Sequence, residues 1–281
     1  MKNKVVALLC LLFVLLFFYI SQYLRWNHYW ATYPPLSDYK IACHDDDTIR
    51  VVMIGDSWAA IHSEMNMDSF LCSKIKKEIN HPVKIQSRGI GGGKTRTIYE
   101  LMFQSRNEGT KNLFLSDVDY CIVTAGINDA AANLGTKHYC YYYRLILDFL
   151  IRHSVCPIVI EIPNVDIWNV YGNKPWKDLV VDYMRATMTQ CNMYNYSEYR
   201  EALKAMLYED YLMKHVIYVP MVGWNEDGEY VNHNLFMTDR VHLNRCGYEK
   251  LDVCIAKAIV SDLQQAQDTA LVYHPMNKNA E

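Results

Sequence analysis

The stretch Val51-Val52-Met53-Ile54-Gly55-Asp56-Ser57-Trp58 constrains this chain more than any other. Its apolar, β-branched start reads as a buried strand. The run stops at a glycine, an acid and a serine, and a helical pattern begins within a few residues. Gly55 permits a tight turn that a β-carbon would hinder. Ser57 then stands at the carboxyl end of the first strand of an α/β sheet, where such folds place ligands. Free N–H groups at the start of the following helix can face an incoming oxygen there. The same serine also suits a plain helix cap, and this segment alone leaves both readings open.

The pattern of strand followed by helix repeats downstream. Further strands are predicted at residues 82–86, 118–125, 157–162 and 216–219. Helices are predicted at residues 64–79, 97–104, 139–153, 175–190, 197–214 and 245–263. Strands alternating with helices imply a mostly parallel sheet covered on both faces. With 281 residues, 51% of them hydrophobic, the chain can bury one substantial core.

The amino terminus is of another kind. Lys2 and Lys4 precede an almost unbroken apolar run over residues 5–20, which reaches spanning length when extended through Tyr23 and Leu24. Tyr19, Tyr23, Trp26 and Trp30 are available as interfacial anchors. No small-x-small cleavage site follows the run. Residues 1–25 are therefore expected to be an uncleaved signal anchor, its basic end in the cytoplasm and the remainder outside. Residues 26–48 read as a linker, with Tyr33-Pro34-Pro35 and then His44-Asp45-Asp46-Asp47, whose acids are expected to be solvated rather than metal-bound. The domain itself is expected over residues 49–265, with a polar tail at 266–281.

Several function classes drop out. A net charge of −3 with both signs mixed gives no footprint for nucleic acid. Nine scattered cysteines, none paired as C-x-x-C, form neither a zinc rhythm nor a disulfide framework. Gly92-Gly93-Lys94-Thr95 ends like a phosphate loop, but that motif requires a glycine where Arg88 stands. What remains is a glycine-rich turn with exposed N–H groups.

Four polar features stand in one order, each at a strand end or in a late loop: Ser57, the Gly91-Gly92 turn, Asn128, and Asp239 with His242. Acyl-ester chemistry requires a hydroxyl nucleophile, a base, a group fixing the base's tautomer, and donors aimed at the oxyanion. Asp239 and His242 are close enough in sequence for the carboxylate to hold one ring nitrogen while the other faces Ser57. The N–H groups of Ser57 and Gly92 and the Asn128 amide can converge on one oxygen.

In these blocks, Gly55-Asp56-Ser57-Trp58, the turn at Gly92, Gly126-Ile127-Asn128-Asp129 and Asp239-Arg240-Val241-His242-Leu243-Asn244, the chain resembles the SGNH hydrolase (GDSL esterase/lipase) superfamily over about residues 49–265. The resemblance implies a flavodoxin-like three-layer α/β/α sandwich with a five-stranded parallel sheet, here preceded by one transmembrane helix, and neither metal nor cofactor. It implies Ser57 as nucleophile, His242 as base, Asp239 as its orienting acid, and Ser57, Gly92 and Asn128 as oxyanion donors.

Two positions depart from the family pattern. Trp58 replaces a common leucine and is expected to shape the acyl pocket. Ser87 stands where many members have asparagine, which leaves Gly91 as a competitor of Gly92. His62 and His233 are rival bases, though neither has an acid three residues before it. Trp168, Trp176 and Trp224 are candidate stacking platforms for sugars. The leading expectation is a membrane-tethered, extracytoplasmic serine esterase that removes small acyl groups, acetyl above all, from carbohydrate. The rivals are an O-acyltransferase using the same triad, a non-catalytic glycan-binding module, and a phospholipase.

Overall fold

A computed structural model describes residues 2–42, 46–115, 117–165, 167–221, 224 and 234–273, with backbone only for residues 169 and 267–273. After the long helix α1 (Lys2–Trp30) the chain alternates between strands and helices. It runs β1 (Ile49–Gly55), α2 (Ser57–Glu64), α3 (Met67–Glu78), β2 (Val83–Gly89), α4 (Thr95–Leu101), α5 (Lys111–Phe114) and β3 (Tyr120–Thr124). Next come α6 (Ile127–Ala131), α7 (Thr136–Arg152), β4 (Cys156–Ile160), α8 (Ile167–Tyr171), α9 (Trp176–Thr189), α10 (Tyr196–Leu207), α11 (Asp210–Met213), β5 (Ile217–Val219) and α12 (Arg245–Tyr273).

The five strands form one sheet in the order β2-β1-β3-β4-β5, and every pairing is parallel. Helices α2, α3 and α12 cover one face, with α12 lying on α3; α4, α7 and α10 cover the other, with α7 in contact with both of its neighbours. This is the expected three-layer sandwich. β1 and β3 are central, and their runs Val51-Val52-Met53-Ile54 and Tyr120-Cys121-Ile122-Val123 are buried throughout, as strands covered on both faces must be. In α7 the buried Tyr139, Tyr143, Ile146 and Leu150 recur at helical spacing and turn one stripe onto the sheet. The eight described cysteines are all free.

The expected helix over residues 64–79 is α3, which starts at Met67, and a separate helix, α2, precedes it. Asn66, with a positive φ of 57°, separates the two, and α2 begins at Ser57 itself. The expected helix over residues 197–214 divides into α10 and α11.

Helix α1 is long and apolar enough, by length and composition, to cross a membrane. Residues 2–21 are exposed along it, and Gln22 is its one buried residue. The described part of the following stretch, expected as a linker, is held against the domain. The Tyr33 and Leu36 amides donate to the hydroxyls of Tyr142 (3.1 Å) and Tyr99 (2.8 Å), and the Tyr39 hydroxyl donates to the Met102 carbonyl (2.8 Å).

Candidate active site

All the described strands point their carboxyl ends the same way, so the turns that follow β1, β2 and β3 meet at one edge of the sheet. Gly55 passes β1 into α2 at a point where its neighbour β3 leaves no room. A β-carbon there would sit 2.0 Å from Thr124 Oγ1 and 2.3 Å from the Thr124 carbonyl. Asp56 caps α2 by accepting the Trp58 amide at 3.0 Å. Ser57 is therefore the first helical residue, and its own amide is one that an α-helix leaves without an internal partner. The strand-to-helix turn thus both caps the helix, through Asp56, and presents Ser57 with a free donor.

The imidazole that meets Ser57, that of His242, arrives from the far end of the chain. Phe236 bridges Leu243 in antiparallel fashion, and the Met237 amide donates to the His242 carbonyl at 2.7 Å. Leu243 is fully buried, and the Asn244 side chain donates to the carbonyls of Asn234 (3.1 Å) and Phe236 (3.3 Å). These ties set the short loop that carries Asp239 and His242. Asp239 Oδ1 accepts the amides of Val241 (2.9 Å) and His242 (3.0 Å), while Oδ2 lies 2.6 Å from His242 Nδ1. On the other side of the ring, His242 Nε2 lies 2.7 Å from Ser57 Oγ. Burial pulls the Asp239 carboxyl up, but hydrogen bonds from the His242 amide and ring and from Val241 outweigh it and hold it below the usual range. An ionised Asp239 bonded to Nδ1–H leaves Nε2 free to accept the serine proton.

The turn between β2 and α4 is closed by the Gly93 amide donating to the Ile90 carbonyl at 3.0 Å. Gly92 takes a φ of +70°, which a side chain would strain, whereas Gly91 does not; a β-carbon on either would meet no atom within 4 Å. Two adjacent residues after β3 grip this turn. Asn128 donates to the Gly93 carbonyl at 3.1 Å and to Asp56 Oδ2 at 3.4 Å. Asp129, fully buried, accepts both the amide (3.0 Å) and the hydroxyl of Thr95 at the start of α4. Desolvation pushes Asp56 up to about 7 and Asp129 to about 6, each opposed by hydrogen bonds from Trp58 and Thr95 respectively. Asp129 lies in the third motif block, but no sequence signal marks Thr95 as its partner.

The other expectations divide. His62 is fully buried, its Nδ1 3.1 Å from Asp68 and its Nε2 2.9 Å from Asp252, so it does not face Ser57. Ser87 joins that cluster, 2.5 Å from Asp68 and 3.0 Å from His62. His233 and His44 lie outside the described residues. Trp58 does not stand at the mouth of the site. Its ring is buried against Phe236 and donates to the Val241 carbonyl at 3.2 Å, which braces the His242 loop. Trp224 is buried beneath Lys250 and offers no platform, whereas Trp168 and Trp176 are exposed. Tyr171 on α8 was not foreseen. Burial raises its hydroxyl, Lys174 opposes this, and the charges of Asp239 and Asp56 add to the rise. Among the described residues no group of three or more His, Cys, Asp or Glu is arranged to hold a metal ion.

No protein-family model and no curated protein matches the sequence. Solved structures do match. A lipase/acylhydrolase from Enterococcus faecalis superposes with a TM-score of 0.52 at 14% identity, over 76% of this chain and 96% of that one. An esterase from a Pseudoalteromonas species, solved with a monoethylphosphonate inhibitor, gives 0.52 at 13% identity over 78% and 100%. An acetylxylan esterase from Geobacillus stearothermophilus gives 0.50 at 16% over 75% and 94%. The fold is that of the GDSL-type acylhydrolases. Within this GDSL-type fold the chain keeps the polar residues of each motif block at the carboxyl edge of the sheet, and 34 residues separate the two partners, Thr95 and Asp129, that join the second block to the third.

Proposed function

We propose that this chain is a serine esterase that removes short acyl groups, acetyl above all, from carbohydrate, on the extracytoplasmic side of the membrane that α1 crosses. The observation that carries the reading is His242, whose ring spans from Ser57 Oγ at 2.7 Å to Asp239 Oδ2 at 2.6 Å. Ser57 Oγ attacks the ester carbonyl while His242 Nε2 takes its proton. The carbonyl oxygen becomes an oxyanion that accepts hydrogen bonds from the Ser57 and Gly92 amides and the Asn128 side chain. The proton on His242 passes to the departing sugar hydroxyl, leaving an acyl-serine. Water, deprotonated by the same ring, then releases the acid and restores Ser57.

Hydrolysis is favoured over transfer by the openness of the catalytic side chains. The Asp239 side chain is 43% exposed and that of His242 27%, so water reaches the acyl-serine unless an acceptor excludes it. The saccharide preference is supported by exposed Trp168 on α8 and by the fold shared with an acetylxylan esterase. The test is hydrolysis of p-nitrophenyl acetate and longer-chain esters by the full chain in detergent, beside Ser57→Ala. Turnover steepest for acetate and lost in the variant is expected. An unchanged rate in Ser57→Ala, or a folded wild type inert to both esters and fluorophosphonate, would refute it.

A further inference from the structure

The point at which α1 joins the domain says which way the site faces. Helix α7 runs from the carboxyl end of β3 back to the amino end of β4, so its first turns mark the catalytic edge of the sheet. The segment after α1 meets α7 first at Tyr141 and Tyr142, through Tyr33, and then at Phe149 and His153, through Tyr39 and Asp38. It therefore descends from the catalytic edge to the opposite one, where β1 begins. Helix α1 is left at the edge that holds Ser57.

Two arginines fix it there. Arg96, in the first turn of α4 and four residues after Gly92, donates to the His28 carbonyl at 2.7 Å. Arg185 of α9 lies 3.7 Å from the Trp26 ring centroid and donates to the Ala132 carbonyl at 3.1 Å, four residues after Asn128. Each outer donor of the oxyanion site thus lies four residues from a point tied to the last turns of α1. Beside this junction α9, itself packed on α1, leaves Trp176 (78% exposed), Val180 (44%) and Tyr183 (66%) bare at i, i+4 and i+7. An apolar stripe of that kind, continuous with an apolar helix, is suited to the headgroup boundary of a bilayer, where tryptophan and tyrosine settle.

We propose that the carboxyl edge of the sheet faces the bilayer surface, with Trp176, Val180 and Tyr183 seated in its interface, so that Ser57 works on an acyl ester of a membrane-borne saccharide rather than of a soluble one. The proposal rests on α1 as the membrane span and on Ser57 as the esterase nucleophile.

The test uses the full chain in phosphatidylcholine–phosphatidylglycerol vesicles, with the photoreactive residue p-benzoylphenylalanine substituted singly for Leu16 in α1, for Trp176, for Tyr183, and for Tyr208. Tyr208 is 74% exposed but lies near Val216, at the amino edge of the sheet. Lipid adducts are expected at positions 16, 176 and 183 and not at 208. Adducts at 16 without any at 176 and 183, or as many at 208 as at 176, would overturn the orientation while leaving the anchor in place. No adduct at 16 would sink the anchor and the orientation together. In the same vesicles, changing Trp176, Val180 and Tyr183 all to Ser should lower hydrolysis of an embedded acetylated alkyl glycoside by about tenfold and leave that of soluble p-nitrophenyl acetate unchanged. Equal loss on both esters would overturn the substrate assignment. A wild type inert to both would remove the esterase reading, with the adduct pattern still deciding the orientation.

Discussion

The buried His62 predicts how stability should vary with pH. Its ring lies between Asp68 and Asp252, so both nitrogens donate and the imidazole is held as a cation. Burial alone would lower its pKa. Hydrogen bonds and charge from Asp252 and Asp68 outweigh that and raise it from 6.5 to about 9. A group whose folded pKa is raised stabilises fully below its unfolded value, and the contribution is lost as pH climbs through the folded value. Here the loss should run from about pH 6.5 to about pH 9 and amount to about 3 kcal/mol. Removing His62 alone would strand Asp252, which is wholly buried, at a cost of about 3–5 kcal/mol near neutrality. His62→Leu combined with Asp252→Leu replaces the pair with apolar volume and isolates the pH term. Urea unfolding of both proteins in detergent, followed by tryptophan fluorescence at about pH 6 and about pH 9.5, measures it. The stability of wild type relative to the double variant should fall by about 3 kcal/mol between the two. A relative stability that stays level across that interval would refute the cationic assignment.

The site makes sharper demands. Asp239→Asn should keep the fold and lower kcat for p-nitrophenyl acetate by about 10⁴-fold, because an amide no longer holds the Nδ1–H tautomer; a loss confined to KM would contradict that role. Asn128→Ala should lower kcat by about 10²–10³-fold, with KM changed far less, if its side chain serves the oxyanion. Gly55→Ala should yield no soluble folded protein, since its β-carbon would meet Thr124 at 2.0 Å, whereas Gly91→Ala, with open space around it, should unfold within about 0.5 kcal/mol of wild type. Circular dichroism and urea midpoints on the two glycine variants check that contrast.

The sheet was legible because four of its strands are short apolar runs that end abruptly and the fifth, β2, begins on the alternation Val83-Lys84-Ile85-Gln86; all five lie at the expected places. Helix boundaries were less legible. The apolar spacing of residues 64–79 carries no sign that Asn66 turns left-handed and splits α2 from α3. Ser57, Asp239 and His242 could be picked out as a set because their order and spacing are informative together, and the structure brings them within hydrogen-bond reach. Trp58 shows the opposite case. Its place beside the nucleophile suggested a pocket wall, but a side chain one residue further round a helix points elsewhere, and the ring is spent on bracing Val241.

What the sequence hides most thoroughly is the pairing of distant polar residues. Asn128 and Asp129 look alike in sequence, a polar pair where turns favour such residues. In the fold they face different ways and hold different parts of one turn: Asn128 takes the Gly93 carbonyl, and Asp129 takes the Thr95 amide at the start of α4. A buried carboxylate raised to about 6 is costly unless donors meet it, and Thr95 supplies two. The gain is rigidity in the Gly91-Gly92 turn, whose exposed amides have no side chains of their own to fix them. The same logic extends to His242: Asp239 is steadied by two backbone amides before it touches the ring. The Gly91-Gly92 turn is thus held by pairings that no local motif connects, whereas Asp239 is held from within its own block, by the amides of Val241 and His242.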